Sequence, residues 1–312
     1  MATMEITTMA GCPLMCTFCP QDELKSAYGK LKDKYMSLET FQILLEKIPE
    51  HVRIDFSGMA EPWANPKATD MVRTALERGR RVAIYTTLYG ISVEDSALLT
   101  QDLLPRFAAQ IEVVCLHLPD ESGNMRGYKG SDSYRAVLKN FLDLPNNGFP
   151  AKTLNIMTMD GSGRVHPDLR DLVPGLGKWT GHSRAGSLGE AQGERVGASA
   201  TPRNGFALAC ASTPFYDHNV VLPNGDVVLC CMDYGLQHVI GNLLDSGYYD
   251  LFAAPELNRL RVENQKPGFS ACSICKSCDN VVNADAPEAR EIKFRDVRRY
   301  FGHKISALFG RA

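Results

Sequence analysis

The chain has 312 residues, of which 44% are hydrophobic and 22% are charged, and this composition excludes a largely disordered protein. Its 34 Lys and Arg residues nearly balance 36 Asp and Glu residues, so the net charge of −2 argues against a protein that binds nucleic acid by neutralising phosphates. The sequence shows no apolar run of the ~20 residues that a membrane span needs, and no signal peptide. We therefore expect a cytoplasmic protein of about two domains.

Short β-type runs alternate with helical patterns over residues 1–180. Runs rich in Val, Ile and Thr predict strands at Met4–Thr8, Val52–Ser57, Val82–Thr87, Ile111–His117 and Leu154–Thr158. The spacing of apolar residues between them predicts helices over Leu38–Ile48, Asn65–Arg78, Val93–Leu104 and Asp132–Leu144. This alternation predicts an α/β fold with parallel strands and crossover helices, which could close into a barrel or remain an open sheet.

The character of the sequence changes in its C-terminal half. Gly, Ala and Ser dominate residues 181–205, which we interpret as a linker or mobile loop. A compact segment over residues 206–283 follows, in which Asn224-Gly225 between two Val-rich runs predicts a β-hairpin. Residues 284–312 contain a basic amphipathic pattern, which predicts either a terminal helix packed on the fold or a helix that contacts a membrane surface or a partner.

Nine of the ten cysteines fall into two groups, one near each end of the chain. The groups are Cys12, Cys16 and Cys19, and Cys210, Cys230, Cys231, Cys272, Cys275 and Cys278. In a reducing cytosol, clustered cysteines indicate metal-binding or catalytic groups before they indicate disulfides. Cys115 stands alone in an apolar run, and we expect it to be a core residue.

The first cysteine group directly follows the first predicted strand and has the spacing Cys-x-x-x-Cys-x-x-Cys. Three thiolates on a tight loop can hold three corners of a cubane iron–sulfur cluster and leave the fourth iron open to a small molecule. Zinc usually has four ligands in paired motifs and fits this spacing poorly. With the aromatic Phe18 before Cys19, these residues resemble the motif of the radical S-adenosylmethionine (SAM) superfamily, Cys-x-x-x-Cys-x-aromatic-Cys.

This resemblance implies a partial (β/α)6 barrel, similar to a TIM barrel, with a [4Fe-4S] cluster that binds SAM through its open iron. The segment Ser57-Gly58-Met59-Ala60-Glu61-Pro62 is similar to the family's Gly-Gly-Glu-Pro-like stretch, although one Gly is replaced and one residue is added. The positions that the resemblance assigns to SAM binding are Phe18, Gly58, Met59, Glu61, Thr86, Thr87 and His117. His117 stands where the family often has Ser, and it could instead only cap a strand.

The second cysteine group resembles the auxiliary iron–sulfur domain, called SPASM, that follows the barrel in many radical SAM enzymes. Cys210, Gly225 and Cys230 match its Cys-x(9–15)-Gly-x(4)-Cys opening, but the later part is shorter than the seven-cysteine pattern. This favours the abbreviated form, called twitch, with one auxiliary [4Fe-4S] cluster. The implied ligands are Cys210, Cys230, Cys275 and Cys278, with Cys272 as a substitute. A four-cysteine zinc ribbon remains the alternative.

Two further residues are candidates for catalytic roles. Cys231 is either a buried neighbour of a ligand or a hydrogen-atom donor to a substrate radical. Arg184 either forms a loop ion pair or orients a polar substrate, because a guanidinium with a pKa above about 12 is a poor base.

Three functions are compatible with these patterns. The first motif begins at residue 12, without the leader-binding domain of many peptide-modifying relatives, and this favours an oxidoreductase or epimerase acting on a sugar, aminocyclitol or glycoside. A radical SAM enzyme that matures a peptide by crosslinking or epimerisation is the alternative. A zinc-stabilised binding protein without catalysis is a distant third. Both radical SAM hypotheses imply an electron donor such as flavodoxin or ferredoxin.

Overall fold

The structure of the protein, a computed structural model, describes most of the chain. The described residues are 2–29, 33–158, 163–173, 176, 183–188, 205–267, 273–295 and 297. Cys272 and most of the predicted linker over residues 181–205 lie outside them. Residues 287–295 are helical, but most of the predicted tail helix also lies outside the described residues.

The strands confirm the predicted α/β fold. They are β1 (Thr3–Ile6), β2 (Arg53–Phe56), β3 (Val82–Thr86), β4 (Ile111–Leu118), β5 (Leu154–Thr158), β6 (Leu208–Cys210), β7 (His218–Val221), β8 (Asp226–Val228), β9 (Val239–Asn242) and β10 (Val281–Asn283). Strands β1 to β5 pair in parallel in chain order. On the other side of β1, β7 also pairs in parallel, and β8 and β9 follow antiparallel. These strands form one sheet, and β10 pairs separately with β6.

The predicted hairpin of the C-terminal segment is confirmed. Strands β7 and β8 pair antiparallel, with Val220 opposite Val228. Gly225 in the turn has φ +86°, a conformation that glycine adopts without steric penalty. Because β7 also pairs with β1, this hairpin extends the barrel sheet instead of forming a separate layer.

Helices cover the outer face of the parallel strands, and further along the chain another helix follows β9. They are α1 (Gln21–Tyr28), α2 (Leu38–Lys47), α3 (Ala68–Glu77), α4 (Val93–Leu98), α5 (Leu104–Arg106), α6 (Asp132–Leu142) and α7 (Pro255–Asn264). The sequence patterns predicted α2, α3, α4 and α6, but not α1 or α7. Helix α2 begins as predicted because the Ser37 Oγ accepts the N–H of Thr40 at 2.9 Å.

Two helix boundaries differ from the prediction for local reasons. Helix α3 begins at Ala68 instead of Asn65, because the Asn65 side chain donates to the carbonyl of Thr8 at 2.8 Å and accepts the N–H of Lys67 at 2.9 Å. The single helix predicted over Val93–Leu104 contains a π-helical turn, Leu99–Leu103, before Pro105. Proline lacks the N–H that would continue the regular hydrogen-bond ladder.

The two faces of the parallel strands differ in polarity. The face toward the helices is apolar and includes Met4, Ile6, Ile54 and Phe56. The alternate side chains line a cavity on the inner face, and they include Thr3, Glu5, Arg53, Asp55, Ser57, Tyr85, Thr87 and His117. This alternation follows from the period of two along a strand. Among the described helices, none combines the length and apolar character that a bilayer crossing requires.

The loop after β4 packs closely on the loop of the first cysteine group. The N–H of Gly127 donates to the carbonyl of Leu14 at 2.7 Å, and the N–H of Thr17 donates to the carbonyl of Asn124 at 2.9 Å. A Cβ on Gly127 would lie 2.6 Å from the carbonyl oxygen of Pro13 and 2.8 Å from the Cα of Leu14. Since both neighbours are backbone atoms, they cannot move aside like the end of a flexible side chain.

We expect Gly127→Ala to destabilise the protein by about 1–3 kcal/mol, the usual range for overpacking. The matched control is Gly205→Ala, because a Cβ there meets no atom within 4 Å. The measurement is urea unfolding followed by circular dichroism under anaerobic conditions. Equal midpoints for the two variants would contradict the predicted close approach.

Candidate active site

The first cysteine group lies on the loop between β1 and α1, at the carboxyl end of β1. All three thiols line one cavity of ≈ 470 Å³. Burial raises the pKa of Cys12 to about 11, and burial with the two neighbouring thiols raises the pKa of Cys16 further. Without a metal these thiols stay protonated at pH 7, and a bound iron group would have to displace their protons and offset the charge of the thiolates.

Gln21 at the start of α1 connects this loop to the segment after β2. Its Oε1 accepts the N–H of Cys12 at 2.8 Å, and its Nε2 donates to the carbonyl of Met59 at 2.7 Å. Beside Cys19, the hydroxyl of Tyr234 donates to the Sγ atom at 3.7 Å. Neither Gln21 nor Tyr234 was identified from the sequence.

The seven positions expected to bind SAM lie around the same cavity as the first cysteine group. They are Phe18, Gly58, Met59, Glu61, Thr86, Thr87 and His117. They come from the cysteine loop and from the carboxyl ends of β2, β3 and β4, as expected for a βα barrel.

The carboxylate of Glu61 is fully engaged by protein donors. Its Oε1 accepts from the Thr86 hydroxyl at 2.6 Å and from the N–H of Trp63 at 3.3 Å. Its Oε2 accepts from the N–H of Thr87 at 2.7 Å and from the Thr87 hydroxyl at 2.6 Å. These four bonds match the number of lone-pair sites of a carboxylate. The carboxylate therefore ties the segment after β2 to the end of β3.

His117 faces the cavity from the carboxyl end of β4. Burial, with a smaller effect of the Arg184 charge, lowers its pKa to about 4. The imidazole is therefore neutral at pH 7 and can both donate and accept one hydrogen bond. Its ring centroid lies 6.2 Å from that of Tyr85.

The second cysteine group surrounds a smaller cavity of ≈ 180 Å³. Its lining includes Cys210, Cys230, Cys231, Cys275 and Cys278. Within the described ranges, no three His, Cys, Asp or Glu side chains form a group that could hold a single metal ion. Burial raises the pKa of Cys278 to about 12.

The two cavities share a wall. Among their described lining residues, Glu5, Ser212, His218 and Cys231 line both cavities. A molecule bound at this wall would contact groups of the barrel and of the C-terminal segment at once. Cys231 was singled out from the sequence, but Glu5, Ser212 and His218 were not. The alternation of polar residues in β1 was the available signal for Glu5.

Arg184 also lines the larger cavity, on a turn over residues 183–188. Its Nε donates to the carbonyl of Phe18 at 3.3 Å, and its guanidinium lies 5.6 Å from the ring centroid of Tyr234. The turn is fixed by Asp279, whose carboxylate accepts from the N–H of Ser183 at 2.5 Å and from the Ser183 hydroxyl at 2.8 Å. The left-handed φ of Arg184, 51°, shows why such an anchor is needed.

Cys115, expected to be a core residue, is buried in β4 and is not among the described residues that line either cavity. Burial raises the pKa of its thiol to about 11.

Two protein-family profiles match most of the chain. The profile described as the radical SAM superfamily matches residues 6–172, and the SPASM profile, described as an iron–sulfur cluster-binding domain, matches residues 210–279. The chain belongs to the radical SAM superfamily. It is a radical SAM enzyme with a SPASM domain. Its cofactors are SAM, a [4Fe-4S] cluster and auxiliary iron–sulfur clusters.

Two solved structures of BtrN support the same fold at low identity. The crystal structure of BtrN in complex with AdoMet and 2-DOIA is 18% identical, with a TM-score of 0.55, and the match covers 89% of this chain and 93% of that chain. BtrN in an open conformation is 15% identical, with a TM-score of 0.50 and coverage of 89% and 92%. A structure of anSMEcpe with bound AdoMet is 15% identical, with a TM-score of 0.48 and coverage of 99% and 95%. No curated protein sequence matches the chain.

The role of Asp279 in fixing the turn that carries Arg184 can be tested without measuring catalysis. Asp279→Ala removes both acceptors of Ser183, and hydrogen bonds to a charged group contribute about 1.5–3 kcal/mol. We expect trypsin to cleave after Arg184 at least about tenfold faster in this variant, since cleavage follows local opening. The measurement is a mass-spectrometric time course on the reconstituted protein, with Asp245→Ala, at an exposed position, as control. Unchanged cleavage would contradict the role of Asp279.

Proposed function

We propose that this radical SAM enzyme is an oxidoreductase or epimerase that acts on a small polar substrate such as a sugar, aminocyclitol or glycoside. The observation that carries this proposal is the shared wall between the two cysteine-lined cavities. Its carboxylate, hydroxyl, imidazole and thiol groups are suited to a molecule rich in hydrogen-bonding groups. The larger cavity, of ≈ 470 Å³, also has to receive the first cluster and SAM, so the substrate would be confined to the shared wall.

In this proposal the first cavity holds the SAM-binding cluster. Cys12, Cys16 and Cys19 are the ligands, and the positions that contact SAM are Phe18, Gly58, Met59, Glu61, Thr86, Thr87 and His117. When bound, the cluster and SAM supply a 5′-deoxyadenosyl radical that takes a hydrogen atom from the substrate. The chain contributes position: a Cβ on Gly58 would lie 2.4 Å from the Thr7 Oγ1, so glycine keeps this backbone close to β1.

The second cavity holds one auxiliary [4Fe-4S] cluster in this proposal. The ligands are Cys210, Cys230, Cys275 and Cys278, and Cys272 is the substitute if one of the last two does not bind. The position of this cavity across the shared wall supports oxidation of the substrate as the outcome, because a redox group would then lie close to it. A small reductase such as flavodoxin or ferredoxin would supply electrons.

Arg184 orients the substrate in this proposal. Its guanidinium is held between the cysteine loop and Tyr234, where it presents donors to a polar molecule and stays charged at any physiological pH. The fold is shared with BtrN, whose structure was solved with AdoMet and 2-DOIA, and this similarity supports a small-molecule substrate.

Iron and sulfide content after anaerobic reconstitution tests both cluster assignments. We expect about eight irons per chain, four in each cluster. Cys16→Ala should lower this to about four and abolish SAM cleavage, and the double variant Cys275→Ala/Cys278→Ala should also retain about four. Cys115→Ala, which changes a buried cysteine away from both cavities, should retain about eight. About four irons with one zinc would exclude the auxiliary iron cluster, and zinc alone in a colourless protein would favour a non-catalytic binding protein.

The substrate class is tested by the yield of 5′-deoxyadenosine from SAM in the reduced enzyme. Aminocyclitols, sugars and glycosides should raise this yield, and short peptides should not. Stimulation by peptides alone would replace this proposal by the peptide-maturing alternative.

The variant Cys231→Ala distinguishes an epimerase from a dehydrogenase. Its thiol lies in the shared wall, where a weak S–H bond could return a hydrogen atom to a substrate radical. For an epimerase we expect Cys231→Ala to abolish the epimerised product while 5′-deoxyadenosine still forms, as measured by chromatography and mass spectrometry. Full turnover to an oxidised product would instead identify a dehydrogenase in which Cys231 only fills the wall.

A further inference from the structure

Among the described residues, three carboxylates line the larger cavity, and they differ in how fully protein donors engage them. Asp55 accepts from the Nε and Nη2 atoms of Arg53, both at 2.6 Å. Glu61 accepts the four bonds described above. The Oε2 of Glu5 accepts from the Ser57 hydroxyl at 3.1 Å and from the N–H of Gly58 at 3.2 Å. The contacts of Glu5 are thus longer than the 2.6 Å contacts of the other two carboxylates.

Glu5 differs from the other two in position, because among the described residues it is the carboxylate that lines both cavities. It lies in the middle of β1, and the Cys231 thiol and the Arg184 charge are its neighbours. Burial raises its pKa, and hydrogen bonds from Cys231 and Ser57 oppose this rise. A carboxylate in this position loses hydration on burial and gains from an additional strong donor.

We propose that Glu5 is a substrate-binding residue whose carboxylate accepts hydrogen bonds from a hydroxyl or ammonium group of the substrate at the shared wall. This inference rests on the proposed function and narrows its substrate class. The end of the substrate that meets Glu5 carries a donor and is not a carboxylate or a phosphate, since a like charge facing Glu5 would be repelled. Arg184, on its separate turn, offers donors for an acceptor group elsewhere on the same molecule.

Two ring compounds that differ in one group show whether the substrate meets Glu5 with a hydroxyl or with an ammonium group. scyllo-Inositol offers hydroxyls, and scyllo-inosamine replaces one hydroxyl by an ammonium. Binding of each is measured by calorimetry to the reconstituted enzyme with SAM and without reductant, so that turnover does not occur. The variants are Glu5→Ala and Glu5→Gln, with Glu39→Ala, at an exposed position on α2, as control. Iron content and SAM affinity of the variants show whether the fold and the cofactor site persist.

We expect Glu5→Ala to weaken binding of the compound that fits at least about tenfold, a loss of one charge-assisted hydrogen bond. SAM affinity should change less than this, since Glu5 meets the SAM-binding segment only through the Ser57 hydroxyl and the N–H of Gly58. In Glu5→Gln, a loss confined to scyllo-inosamine identifies the ammonium as the donor that meets Glu5. Retained binding of scyllo-inositol in Glu5→Gln, with loss in Glu5→Ala, identifies a hydroxyl.

Unchanged affinity of both compounds in Glu5→Ala would overturn the inference, and so would a wild-type enzyme that binds neither. Failure of the proposed function has a different signature. In that case a compound binds and depends on Glu5, but reduction of the enzyme yields no 5′-deoxyadenosine above the level without the compound.

Discussion

The parallel pairing of β1 with β7 is the interaction on which the site depends. Thr3 pairs with His218 and Glu5 with Val220, so a strand of the barrel and a strand of the C-terminal segment share one hydrogen-bond ladder. This ladder fixes the distance and register between the two cysteine-lined cavities. A slip of one residue would turn every side chain of β1 to the opposite face and remove Glu5 from the shared wall.

The buried carboxylates inside the barrel differ in their hydrogen-bond partners. Asp55 is neutralised by Arg53, and Glu61 is held by hydroxyls and N–H groups of the segments that it connects. Such pairing is what a buried charge normally requires. The contacts of Glu5 with Ser57 and Gly58 are longer, and this leaves its carboxylate more available to a further donor at the shared wall.

Much of the fold was predictable because its signals are local. Five strands and four helices follow from hydrophobic period, and the first cysteine motif from its spacing. Helix α1 was missed because it buries few apolar side chains, mainly Leu24 and Tyr28, so it has no strong apolar stripe. The late start of α3 depends on hydrogen bonds of Asn65 to Thr8 and Met36, which are distant in the sequence.

The site was predictable in part for the same reason. The cysteines and the positions around the first cavity occur in short motifs that can be recognised in isolation. Glu5 and His218 line the same wall only because β1 pairs with β7, and no local pattern in the sequence encodes this pairing. Asp279 likewise gains its role only when Ser183 is brought next to it across 96 positions of the chain.

The polar inner face of the parallel strands has a consequence for stability. A closed βα barrel normally fills its interior with layers of branched apolar side chains. Here a cavity of ≈ 470 Å³ takes that place, so the apolar layer between strands and helices carries the packing. Any ligand that binds inside favours the native state in proportion to the logarithm of its concentration. At a fixed ligand concentration the midpoint of thermal unfolding therefore rises with affinity, and a library of candidate metabolites can be ranked by melting temperature before any turnover is measured.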